Sequence, residues 1–176
     1  RRDQPILLPR QGRWDCGITT NPSPWVMPDG SIYMAYKSGH VTRGTALSPF
    51  RIGIARAEAW DRPFERVADG PVYEFPNPAT IVEDPFLWHA DGRFHLIMKD
   101  LSGHVTGDKG SGLYLHSPDA VTWELGDPPR AYTRELRWDD GGLETVGQFE
   151  RPHLLFDDSG RMTHLLAAAA LSRGDL

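Results

Sequence analysis

A single cysteine, Cys16, means that the chain can close no disulfide within itself, and thiol pairing says nothing about its compartment. No local motif supplies that thiol with a histidine, so Cys16 is expected to be a buried structural group rather than a nucleophile. Positive charge is also in deficit. The 19 Lys and Arg stand against 24 Asp and Glu, a net charge of −5 with no basic run, which argues against nucleic acid or a membrane surface as the main partner. Long apolar runs are missing: the one at 165–171 falls far short of the roughly 20 residues that cross a membrane as a helix. Heptads and helical stripes are missing too, which turns the reading toward short extended segments. The chain opens on Arg1 without a signal-peptide pattern, which leaves targeting open.

Glycine and proline are what the chain has in excess. Its 18 Gly and 15 Pro, with 39% hydrophobic residues, suit a folded all-β chain full of tight turns. The turns fall at a fixed place in a repeat. Residues 82–100 read as an acidic start and a proline, a short apolar strand, the Asp91-Gly92 turn, and a second strand ending in Lys99-Asp100. The same plan recurs at 21–37 around Asp29-Gly30 and at 150–166 around Gly160, so the turn glycines lie 62 and 68 residues apart.

Further strands are expected at 51–57 and 64–67 after the first hairpin, and at 113–116 and 122–125 after the second. Four antiparallel strands linked by turns make one β-propeller blade. The expected fold is therefore an all-β propeller, one domain or fragment over 1–176, with blade repeats near 21–75, 84–126 and 130–170. Residues 130–148 read as a charged, glycine-rich linker, and 165–171 as strand despite a high helix propensity. Residues 117–123 look like the Asp-box turn of sialidase-type propellers, with Val121 where that motif has glycine. About three blades cannot close a ring, because closed propellers need at least about four. The chain is thus expected to belong to a longer one of roughly 300 residues, with self-association as the other way to complete a ring.

Blade starts converge on the propeller axis, and here they carry Asn21, the Glu83-Asp84 pair and Glu150. Carboxylates from separate blades meeting in one funnel are what acid–base hydrolysis requires, one protonated and one ionised. Lys37 and Lys99 occupy equivalent strand ends, where they could meet substrate hydroxyls or a carboxylate. A bland reading stands beside each group. Asp84 could cap its own turn, Glu150 could pair with a basic neighbour, and Trp25 and Trp88 could be core wedges. Aligning on the prolines matches Glu83, rather than Asp84, with Glu150. The seven histidines show no pair at ligand spacing, so no metal site and no cofactor are expected, with room left for one channel-bound calcium ion.

Asp84-Pro85 and Glu150-Arg151-Pro152, 66 residues apart, resemble the Asp-Pro and Glu-x-Pro blade starts of five-bladed propeller glycoside hydrolases of families 43 and 117. The resemblance covers roughly residues 20–170. It implies a five-bladed ring that cleaves a plant or algal oligosaccharide with inversion, using a base, a tuning aspartate and a glutamic general acid. In those terms Asp84 is the tuning aspartate and Glu150 the acid. Asn21, Lys37, Glu83, Lys99, His104, Arg151 and His153 are left as candidate sugar contacts. The pattern departs at the base, where Asn21-Pro22-Ser23 stands in place of Asp-Pro-Ser. Asp15 is the nearest substitute within the chain, and a residue on a further blade is the other. A non-catalytic carbohydrate-binding propeller is the alternative. An oligosaccharide partner and a secreted or periplasmic location follow from the resemblance.

Overall fold

The computed structural model describes residues 5–42, 45–46 and 48–170, and every regular element among them is a β-strand. Strands β1 (Ile18–Val26) and β2 (Ile32–Gly39) form the first hairpin. The two-residue strands β3 (Val41–Thr42) and β4 (Thr45–Ala46) pair within the loop that follows, before β5 (Arg51–Ala57) and β6 (Glu65–Arg66) complete a sheet in the order β1-β2-β5-β6. The second unit repeats this with β7 (Val82–Ala90), β8 (Arg93–Asp100), β9 (Gly112–Ser117) and β10 (Glu124–Tyr132), antiparallel in chain order. These are two propeller blades. Strands β13 (Gln148–Phe156) and β14 (Met162–Ala170) give the inner hairpin of a third. The expected linker is not featureless: β10 runs on to Tyr132, and β11 (Glu135–Arg137) pairs with β12 (Leu143–Thr145) as a ribbon. No helix among the described residues is long and apolar enough to cross a membrane.

The hairpins form because each turn has a residue that tolerates positive φ. Gly30, Gly92 and Gly160 sit at φ 85°, 71° and 80°, where a side chain would clash with its own backbone. Period-2 patterning then decides the faces. Along β8, Phe94, Leu96 and Met98 face the first blade, in one cluster with Ala35, Ile52, Ile54, Leu87 and Leu113. Ile97 faces the other way, against Phe86 of β7 and Leu154 of the third hairpin, with Trp88, Tyr114 and Phe156 around them. The outer face of blade one, Met34, Tyr36 and Ala55, is covered by Leu7 and Trp14 of the N-terminal segment. Trp25 and Trp88 are both core wedges. The Asp-box-like turn is built too, with Asp119 accepting from the N–H groups of Val121 and Thr122 while Trp123 is buried.

Inner strands lie side by side, β1 against β7 and β7 against β13, so the three blade starts share one cleft. The loop after β8 is held by Asp100, which is fully buried. Its two oxygens accept from the N–H groups of Gly103, Val105 and Thr106 and from the hydroxyls of Ser102 and Thr106. Burial alone would raise its pKa, but these donors, led by the Thr106 N–H, hold it below the usual carboxylate range. Asp100→Asn places an amide donor among N–H donors and should cost about 1–3 kcal/mol in urea unfolding near pH 7. Because the folded pKa is depressed, the wild-type advantage should be full above pH 3.8 and shrink as the pH falls below it.

Candidate active site

The three inner strands break register at the same place. Bulges fall between Thr20 and Ser23, between Glu83 and Phe86, and between Glu150 and His153. At each, one residue before a proline is left-handed: Asn21 at φ 50°, Asp84 at 52° and Arg151 at 55°. Structural equivalence therefore runs Asn21, Asp84, Arg151. The residues just before them, Thr20, Glu83 and Glu150, form a second equivalent set. Glu83, which contests the place of Asp84 in sequence, is the true counterpart of Glu150, and Asp84 is the counterpart of Arg151.

Each set carries its own chain of contacts across the blades. In the first, the Asn21 side-chain amide donates to Asp84 Oδ1, and the backbone N–H of Arg151 donates to Asp84 Oδ2 at 3.2 Å. In the second, Lys37 Nζ lies 2.9 Å from Glu83 Oε2, while Lys99 Nζ is 3.7 Å from Glu83 Oε1 and 2.6 Å from Glu150 Oε1. The Lys99 side chain is only 2% exposed, and Glu150 at 36% is the most open member of this chain. Gln148 Oε1 also accepts from Lys99 at 3.4 Å. The N–H of Leu87 donates to Ser23 Oγ at 2.9 Å, a third tie between blades that no sequence motif marks.

The cleft of about 550 Å³ is lined by Thr20 through Pro24, Asp84 through Phe86, and Arg151 through His153. Burial, and then the neighbouring Glu83 charge, push the Asp84 pKa above its ordinary value, against the Arg151 N–H and the Lys37 and Arg151 charges. Tyr132 is pushed up as well, by burial and then by Asp84. The His153 ring stands edge-on to Phe86 with centroids 4.6 Å apart. Trp25 and Phe156 meet edge-to-face at 5.8 Å, joining blade one to the third hairpin.

Asn21, Asp84, Arg151 and His153 thus line the cleft, with Glu83, Glu150, Lys37 and Lys99 joined beside it. Lys37 and Lys99 are committed to carboxylates rather than free for a ligand. His104 stands exposed on the β8–β9 loop, outside the lining. Asp15 is a correction to the expected set. It is wholly buried, bonded by the guanidiniums of Arg10 and Arg66 at 3.0 and 2.5 Å and by the Tyr36 hydroxyl at 3.3 Å, so it ties the N-terminal segment to blade one. Cys16 is a half-buried free thiol. No group of three or more His, Cys, Asp or Glu that could hold a metal ion occurs among the described residues.

No protein-family model matches the chain, and no curated protein matches it. Solved structures do. The complex of BT0996 with RGII superposes with a TM-score of 0.64 at 15% identity, covering 98% of this chain and 53% of that one. Zg3597, a family 117 glycoside hydrolase from Zobellia galactanivorans, gives a TM-score of 0.54 at 15% identity over 81% of this chain and 42% of that one. The Bombyx mori GH32 beta-fructofuranosidase BmSUC1 gives 0.52 at 18% identity over 88% and 30%. The fold is the propeller fold of glycoside hydrolases. Family 117, named from the blade-start motifs, is among these likenesses, and the chain spans about half the length of the BT0996 structure.

Because the folded pKa of Asp84 is raised, ionising it weakens the fold. Thermal unfolding of wild type and Asp84→Asn, compared from pH 3 upward, isolates this group. The wild type should be at its best relative to the variant below pH 3.8, losing ground as pH rises through the raised folded value and staying level beyond it. A difference that does not change with pH would show that Asp84 has an ordinary pKa.

Proposed function

We propose that this chain forms part of a glycoside hydrolase that cleaves a plant or algal oligosaccharide, with Glu150 as general acid and Asp84 as its positioning and tuning partner. The observation that carries this reading is the contact between Asp84 Oδ2 and the Arg151 N–H at 3.2 Å. Through it a carboxylate of one blade fixes the bulge that presents Glu150 from the next. Cleavage of a glycosidic bond needs a proton delivered to the leaving oxygen and an ionised partner held close by. Asp84, 6% exposed, is fixed by two donors, while Glu150 is open enough to reach a sugar and, to act as the acid, takes up a proton and leaves Lys99 to Glu83 and Gln148.

An inverting reaction also needs a base to activate water, and an asparagine amide cannot take that proton. Asn21 is then a sugar-hydroxyl ligand and a donor to Asp84. The base would come from a further blade of the whole protein, in a ring of the five-bladed type. Such a polymer-derived substrate fits a secreted or periplasmic setting. The second reading is a carbohydrate-binding propeller without turnover. It is favoured by Asn21 at the base position and by the ion pair that engages Glu150 with Lys99.

Reducing-end release from a panel of plant and algal oligosaccharides separates the two. Under the hydrolase reading the whole protein turns over at least one of them, and Glu150→Gln loses about 10²- to 10⁴-fold in kcat while still binding the oligosaccharide. Gln keeps an acceptor for the buried Lys99 and Glu83 keeps a countercharge, so the variant should fold with a lowered melting temperature. Undiminished turnover in Glu150→Gln sinks the assignment. Calorimetric binding with no release of reducing ends favours the second reading.

A further inference from the structure

Three cations stand at or beside the cleft, and two are spoken for: Lys37 and Lys99 pair with Glu83 and Glu150. Arg151 is different. It is exposed, it lines the cleft, and no carboxylate among the described residues pairs with its guanidinium. Asp84 feels the Arg151 charge, yet its oxygens are engaged by the Asn21 amide and the Arg151 N–H rather than by the guanidinium.

The backbone at Arg151 adds an independent observation. Its φ of 55° is a conformation that favours glycine or asparagine, and the equivalent positions on the other blades hold asparagine and aspartate, short polar residues suited to it. An arginine there gains nothing from local geometry. Strain of this kind persists where the surroundings fix it, and it collects at ligand sites. The bulge turns three side chains, Asn21, Asp84 and Arg151, toward one space, and only one of them is a cation. A guanidinium with its fork unengaged is matched in shape and charge to a planar carboxylate, and it also bonds a sulfate ester.

We infer that the cleft selects an anionic sugar, a uronate or a sulfate-ester residue, whose charged group is held by Arg151. The inference rests on reading the cleft as a sugar site and narrows its substrate class. A neutral sugar offers Arg151 hydroxyl contacts alone, whereas an anionic one forms a charge-assisted pair that salt weakens.

The test is calorimetry on the whole protein carrying Glu150→Gln, so that no probe is consumed. The probes are trigalacturonate, a sulfated galactan oligosaccharide and a neutral galactan oligosaccharide. One of the two anionic probes should bind at least about tenfold more tightly than the neutral one. That preference should shrink between 50 and 500 mM NaCl, on the order of what screening of a partly exposed pair gives. Arg151→Gln should abolish the preference, and Arg151→Lys should keep part of it. Which anionic probe binds decides between carboxylate and sulfate. The inference is overturned if neither anionic probe outdoes the neutral one, or if the preference survives Arg151→Gln. Cleavage of the neutral oligosaccharide by the wild type, with no preference for charge, removes the inference and keeps the hydrolase reading. An anionic probe held through Arg151 but never cleaved keeps the inference and removes that reading.

Discussion

The ammonium of Lys99 is the constraint on which the rest depends. A lysine buried to 2% exposure is costly unless its charge is met by carboxylates and its protons by acceptors. Glu83 from its own blade and Glu150 from the next meet it, with Gln148 supplying a further oxygen. The pairing therefore cannot be satisfied within one blade. It requires the third hairpin to sit where Glu150 reaches Lys99, and that position brings β13 beside β7. Lys37 extends the chain back to the first blade through Glu83. One row of alternating charge runs across all three blade starts.

The second row is set by backbone geometry. The same bulge in β1, β7 and β13 leaves Asn21, Asp84 and Arg151 left-handed and turns them to the cleft. Asp84 joins the two neighbours by accepting from both. Burial and the Glu83 charge raise its pKa, so the two rows are coupled: Glu83, locked in the ion-pair row, acts electrostatically on Asp84 in the other.

Much of this was legible in the sequence because it is local or repeated. The turn glycines, the alternation of β8 and the proline after each blade start mark the hairpins, the faces and the axis. The proline alignment even pairs Glu83 with Glu150, as the structure does. What stayed hidden depends on partners far along the chain. Asp15 looks like a spare carboxylate near a blade start until Arg66, 51 residues on, is found bonded to it. The hydroxyl of Ser23 reads as part of a motif, while its partner is the Leu87 N–H, 64 residues away. Lys37 and Lys99 look like free strand-end cations because no sequence pattern shows the ion pairs that close on them. The ribbon within 130–148 leaves no mark in the sequence because three-residue strands carry too little periodicity to register.

On our proposal, two cross-blade rows, one of charge and one of strained backbone, build a single sugar site at the blade starts. A crystal structure of the whole protein carrying Glu150→Gln, soaked with an oligosaccharide that the wild type binds, tests it most directly. The account predicts a sugar ring in the cleft bordered by Asn21, Asp84 and Arg151, with a glycosidic oxygen within hydrogen-bond reach of residue 150. A sugar bound elsewhere, with this cleft filled by side chains of a neighbouring blade, would contradict it.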